Sequence, residues 1–210
     1  MAVPSHKSLR LLLVRHGEVD ARWRGTIYGR LDVPLSERGH RQSQLVADAL
    51  RSEDLEAVVS SGLQRAEAAA ALIRAGRGSI QRQDEPRLTE LDRGRWAGRL
   101  IDDLAREAPA EMERWRAARG AIQAPGGEDP GDLALRTHAV FDELAARHAG
   151  GTVVVVAHLW VVRSALTACL GLPMSASARL GLPPGGICEV SWPERGAAPA
   201  RGPRLQRLGV

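Results

Sequence analysis

Residues 152–157, Thr-Val-Val-Val-Val-Ala, constrain this chain more than any other segment. A run that is apolar or β-branched at every position has no solvated face, so it reads as a central strand of a parallel sheet covered on both sides. Residues 9–14 and 56–60 read as companion strands, 79–83 as a short edge strand, and 187–192 and 203–208 as late strands. Helices are expected over about 37–51, 63–74, 130–148 and 160–170. Ser36 is the predicted N-cap of the first, with Leu45, Val46, Ala49 and Leu50 on one face. Asp129 then Pro130 opens the third, and Gly150-Gly151 ends it. Alternating strands and helices predict an α/β fold: a three-layer α/β/α sandwich with a mostly parallel central sheet and helices on both faces. Residues 86–128 are less regular. Two short helices, about 99–107 and 110–119, before the Pro125-Gly126-Gly127 turn predict a small helical cap inserted into one domain spanning residues 1–210.

Composition narrows the function. The 210 residues carry a formal charge of +4, but Lys7 is the only lysine, and the arginines are interleaved with Asp and Glu. Tyr28 and Phe141 are the only Tyr and Phe, and the scattered arginines read as a dispersed solvated surface rather than the clustered basic face of a nucleic-acid-binding protein. Cys169 and Cys188 have neither metal nor redox spacing and read as two reduced thiols. Residues 11–14 are too short for a signal-peptide core, and no run reaches the roughly 20 apolar residues of a membrane span. The expected location is cytoplasmic, with no membrane or nucleic-acid partner; the oligomeric state is not legible.

Three strand ends carry the chemistry, and the loops at the carboxyl ends of parallel strands converge on one edge. Arg15-His16-Gly17-Glu18 ends the first strand. Arginine is a fixed cation suited to phosphate oxygens, and a neutral imidazole is a nitrogen nucleophile. The competing reading is a surface His capped by its neighbours. Ser60-Ser61-Gly62-Leu63-Gln64-Arg65 follows the second strand, where small residues entering a helix form an anion-binding turn. Arg65 in a first helical turn opposes the helix dipole, a cost that a bound phosphate would relieve; a surface Arg is the alternative. His158 follows the third, as a site residue or a hydrogen-bonded structural His, whereas His6, His40, His138 and His148 read as solvated. Glu90, flanked by Leu88 and Leu91, is the candidate acid, with Asp92 and Glu18 as rivals. Trp96 reads as a packing residue. There is no paired-Cys or carboxylate-rich metal pattern, no G-x-x-x-x-G-K-[ST] or G-x-G-x-x-G loop, and no G-x-S-x-G elbow.

These residues resemble the histidine phosphatase superfamily, also called phosphoglycerate mutase-like. The resemblance spans nearly the whole chain and rests on five blocks in order. They are Leu13-Val14-Arg15-His16-Gly17-Glu18; Gly29-x-x-Asp32-x-Pro34-Leu35-Ser36-x-x-Gly39; Ser60-Ser61-x-Leu63-x-Arg65-Ala66; Leu88-x-Glu90 with Gly94-x-Trp96-x-Gly98; and Val155-Val156-Ala157-His158. It implies that His16 is the nucleophile, forming a phosphohistidine. Arg15, Arg65 and His158 would hold the phosphoryl oxygens. Glu90 would protonate the leaving oxygen and then deprotonate water. Two guanidiniums and an imidazolium would supply the positive charge, so no metal or other cofactor is implied.

The chain departs from the family pattern at Arg22, where Asn is usual, and at Leu159 and Trp160, where small residues are usual. Gly62 occupies the third position of a Ser-x-Pro-Leu block. Arg22, Tyr28, Gly29, Leu159, Arg93 and Arg95 are candidate substrate contacts, beside Arg15 and Arg65. The length and the Pro125-Gly126-Gly127-Glu128 turn look more like the phosphatase branch, including α-ribazole phosphatase-like proteins, than the longer mutases. The expected function is hydrolysis of a small phosphorylated metabolite. Mutase-type phosphoryl transfer and a non-catalytic phosphate-binding or regulatory role are the alternatives.

Overall fold

The computed structural model describes residues 8–194 and 202–209. In chain order the strands are β1 (Leu9–Arg15), β2 (Thr26–Ile27), β3 (Ala57–Ser60), β4 (Gln83–Asp84), β5 (Arg99–Leu100), β6 (Thr152–Ala157), β7 (Ile187–Trp192) and β8 (Arg204–Leu208). The helices are α1 (Glu37–Ala49), α2 (Gln64–Arg74), α3 (Ile101–Glu107), α4 (Pro109–Ala117), α5 (Pro130–Arg147) and α6 (Leu159–Leu170).

Six strands form one sheet in the order β4-β3-β6-β1-β7-β8. β4, β3, β6 and β1 are parallel, and β7 and β8 add two antiparallel pairings at one edge. β6 is central, between β3 and β1, as its unbroken apolar run requires. Successive side chains alternate between the two faces. Leu9, Leu11, Leu13, Val153, Val155 and Ala157 pack with α5 and α6 through Phe141, Leu144, Val162 and Leu166. Leu12, Val14, Val154, Val156 and Val58 pack on the other face with Val46 of α1, Leu50 at its C-terminal end, and Ala66, Ala70 and Ile73 of α2. The architecture is therefore a three-layer α/β/α sandwich. Each fully buried Val or Leu contributes about 1.5–3 kcal/mol relative to exposure, so both layers hold the sheet firmly.

Ser36 caps α1 by accepting the Gly39 N–H, and Asp129 caps α5 by accepting the Gly131 N–H. α1 is rotated relative to the sequence expectation: Leu45 and Ala49 are exposed, while Gly39, Ser43 and Val46 face inward. The reason is steric. A Cβ on Gly39 would stand 2.0 Å from the Glu18 carbonyl oxygen, and one on Gly17 would stand 2.3 Å from that of Gly39. The loop after β1 therefore crosses α1 directly against its backbone. The edge strand pairs at 83–84 rather than 79–83, because Ile80 turns to pack under α1 and α2. His138 and His148 are not simply solvated. His138 bonds the Ser164 carbonyl oxygen and packs against Phe141 and Trp192, and His148 bonds Glu56. His40 is exposed, and His6 lies outside the described residues.

Residues 86–128 build a second, smaller layer. Ile27, Trp96, Leu104, Met112 and Ala124 make its apolar cluster, and β2 pairs antiparallel with β5 to join it to the loop after β1. Gly94, at φ 47°, allows the Pro125–Gly127 turn to pass so close that a Cβ there would stand 2.4 Å from the Gly126 carbonyl carbon. No helix among the described residues is long and apolar enough to cross a membrane.

Candidate active site

The parallel register aligns Arg15 with Ala157 and Ser60 with Val156, so β1, β3 and β6 end at one edge. His16, Ser61 and His158 are each the first residue past a strand end. The His16 N–H donates to the Ala157 carbonyl at 3.0 Å, and the Ser61 N–H donates to that of Val156 at 3.3 Å. The sheet itself thereby sets the spacing of the site.

The two imidazoles lie with ring centroids 5.1 Å apart, and His16 and His158 are 2% and 0% exposed. His16 Nδ1 lies 2.7 Å from the Gly17 carbonyl oxygen. A carbonyl can only accept, so Nδ1 carries the proton and Nε2 presents its lone pair. Burial, with Arg65 and then Arg15 nearby, pushes the His16 pKa down to about 3. Burial, Arg65 and His16 hold His158 well below the usual histidine range. His158 Nε2 is 2.8 Å from Ser61 Oγ, and its buried Nδ1 has no hydrogen-bond partner. Without an anion, His158 is thus a neutral imidazole rather than the imidazolium that the family resemblance implied. An arriving dianion would reverse that preference.

Arg65, expected in the first turn of α2, is there and fully buried. Its Nη1 and Nη2 donate to the Leu31 and Gly29 carbonyls at 2.6 and 2.8 Å, and its Cζ lies 5.4 Å from the Tyr28 ring centroid. Arg15 Nη1 donates to the Leu182 carbonyl at 2.6 Å. The Nε of each guanidinium is buried without a partner, and burial lowers both pKa values. Such uncompensated cations are costly unless an anion joins them.

A cleft of about 190 Å³ opens beside this group, lined by Arg15, Tyr28, Gly29, Glu90, Arg93, Leu159 and Trp160 among others. Glu90 is 8% exposed, and its Oε1 accepts the Leu91 N–H at 2.8 Å. Its charge acts on Arg15, Arg65, Arg93 and Arg163. The rival acids are engaged elsewhere: Glu18 accepts from Ser36 Oγ at 3.0 Å, and Asp92 caps the Gly94 N–H at 2.8 Å.

Of the sequence candidates, the structure brings Arg15, His16, Tyr28, Gly29, Arg65, Glu90, Arg93, His158 and Leu159 together. Arg22 and Arg95 line no part of the cleft. The Arg22 side chain is 65% exposed, because the single 3₁₀ turn at 21–23, capped by Asp20, aims it at solvent. Trp160 packs against Leu91 and Leu133, and so walls the cleft instead of filling it. Sequence reasoning gave no role to Ser61, although it lies inside a quoted block. It also missed Arg136, whose fork on Glu128 (2.6 and 2.9 Å) stands beside the Glu90 carbonyl, 3.4 Å from Nη2. Only the folding of α5 onto the 86–128 layer reveals that contact.

A neutral, buried imidazole beside two guanidiniums that no carboxylate pairs, at the carboxyl edge of a parallel sheet, is an arrangement suited to holding a phosphoryl group. The model of the histidine phosphatase superfamily (branch 1) matches residues 11–201, and the chain belongs to that family. It is 34% identical to phosphoserine phosphatase 1 of Hydrogenobacter thermophilus, over 80% of this chain and 79% of that one. It is 35% identical to a probable phosphoglycerate mutase of Yersinia pestis, over 89% and 86%. A mycobacterial glucosyl-3-phosphoglycerate phosphatase superposes with a TM-score of 0.82 at 28% identity, covering 96% of this chain and 98% of that one. A putative alpha-ribazole-5'-P phosphatase of Escherichia coli gives 0.81 at 26%, covering 97% of each. The phosphatase-named relatives favour phosphomonoester hydrolysis over the mutase reaction.

Proposed function

We propose that this protein hydrolyses a small phosphorylated metabolite by passing its phosphoryl group through His16. The observation that carries this reading is the His16 tautomer. Nδ1–H is tied to the Gly17 carbonyl, so Nε2 is a free lone pair among three groups able to hold phosphoryl oxygens: Arg15, Arg65 and His158. In the first step Nε2 attacks phosphorus, the ester P–O bond breaks, and the leaving oxygen takes the proton of Glu90. In the second, the Glu90 carboxylate takes a proton from water, whose oxygen attacks phosphorus. The P–N bond then breaks to release inorganic phosphate and neutral His16. The guanidiniums are in place before charge develops, which is where phosphoryl transfer gains most of its acceleration. Ser61 orients the His158 ring, and the 86–128 segment acts as the cap that selects the substrate.

The test is turnover of p-nitrophenyl phosphate and a panel of phosphorylated metabolites by the protein and by His16→Ala, with an acid-labile, base-stable phosphate adduct count alongside. Hydrolysis lost in the variant supports the mechanism. Equal turnover by both proteins overturns it.

A further inference from the structure

Arg93 has no part in the reaction derived above, yet it is among the most constrained cations of the molecule. It is 6% exposed, and it lines the same cleft as Arg15 and Glu90. Its Nη1 donates to the Gly120 carbonyl at 3.0 Å, and its Cζ lies 5.1 and 5.9 Å from the Trp160 and Trp115 ring centroids. Gly120, at φ 82°, turns the chain against it, its Cβ position lying at contact distance, 3.4 Å, from Arg93 Nη2. No carboxylate among the described residues forms an ion pair with it, and Glu90 is the one acidic group acting on it. Burying an unpaired cation is unfavourable unless a ligand completes the pair.

The charges of the cleft indicate what that ligand is. Arg15, Arg65 and Arg93 face a single acid, Glu90; Arg163, which also feels Glu90, lies outside the cleft lining and donates to the Leu180 carbonyl at 2.8 Å. In the first step Glu90 is protonated, leaving three positive charges. A phosphomonoester dianion meets two of them, at Arg15 and Arg65, and Arg93 remains. We propose that Arg93 binds a carboxylate on the part of the substrate that is not transferred, so that this protein selects phosphorylated hydroxy acids. The planar fork, its Cζ beside two indole rings, suits the planar carboxylate. A cleft of about 190 Å³ also favours a short carbon chain, being smaller than the roughly 300–1,000 Å³ of sites for drug-sized ligands.

This inference rests on the phosphatase reading, and the two fail separately. Turnover of p-nitrophenyl phosphate, which lacks a carboxylate, reads the reaction. Calorimetric binding to His16→Ala protein, which needs no turnover, reads the selection. The probes are 3-phosphoglycerate and glycerol 3-phosphate, a pair differing at the carboxylate. The expected preference for 3-phosphoglycerate is on the order of 10- to 100-fold, the discrimination of a site built around one charged hydrogen-bonded group. Adding Arg93→Met should bring the ratio of affinities near one, and Arg93→Lys should leave it in between. Equal binding of the two probes, binding of neither at millimolar concentration, or a ratio that Arg93→Met leaves unchanged overturns the proposal. A purely structural Arg93 would weaken both probes alike and keep the ratio. If Arg93→Met does not fold, the ratio in Arg93→Lys decides in the same way.

Discussion

Replacing His16 by Asn should make the fold less sensitive to acid. The folded pKa of His16 is about 3, against 6.5 for a free histidine, because the ring is buried beside Arg65 and Arg15. The sign follows from proton linkage. Between these values the unfolded chain binds a proton that the folded chain refuses, so stability falls as pH falls through that window and is flat above it. The slope approaches about 1.4 kcal/mol per pH unit, or about 2 kcal/mol between pH 6.5 and 4.5. His158, also depressed by burial, acts in the same sense. Urea unfolding at a series of pH values, for the parent and for His16→Asn, gives a difference curve in which the titrating carboxylates cancel. That curve should be level above about pH 6.5 and slope below it. Inorganic phosphate should flatten it, since an anion between the rings favours their protonated forms. A difference curve that stays level throughout would refute the assignment of a neutral, desolvated nucleophile.

Three other outcomes follow from particular contacts. Glu90→Gln should cut turnover of alkyl phosphates by about 10²–10⁴, the usual worth of a general acid, and p-nitrophenyl phosphate, with a better leaving group, should show a burst of one product per site before a slow phase; stopped-flow absorbance checks this. Ser61→Ala removes the partner of His158 Nε2, 2.8 Å away, and should cost about 1–3 kcal/mol in urea unfolding, the penalty for an unsatisfied buried polar group. Gly94→Ala forces a Cβ to within 2.4 Å of the Gly126 backbone at positive φ, and should lower stability by at least about 2 kcal/mol, seen as a lower Tm.

The residues that were legible in the sequence share one property: local pattern decides them. The Thr152–Ala157 run identified itself as central, and the positions of His16, Arg65 and His158 followed from coming just after a strand. Ser36 and Asp129 were readable as caps because capping needs only the adjacent turn. The face of α1 was not readable, because Leu45 and Ala49 look as apolar as Val46. The helix is turned by the backbone of Glu18 crossing at Gly39, a contact with no local signature. Arg22 could not be aimed from its neighbours, since Asp20 both caps its turn and lies beside its guanidinium. The 86–128 layer was the least legible. Arg30 reaches the Glu90 carbonyl and Glu128, and Arg136 forks onto Glu128 from α5, so three distant segments fix the wall of the cleft.

The stack beside the cleft has an optical consequence. Trp96 meets Trp115 edge-on at 6.1 Å, Arg93 lies against Trp115 and Trp160, and Arg163 covers Trp160 at 4.8 Å. Two of the five tryptophans, Trp115 and Trp160, therefore line the cleft, with Trp96 packed edge-on behind Trp115, and a chain with one tyrosine has little competing emission. Their excited states sit in the field of guanidiniums whose charge an incoming anion would neutralise. Occupancy of this site should thus shift the native fluorescence spectrum, giving the protein a label-free signal of its own loading.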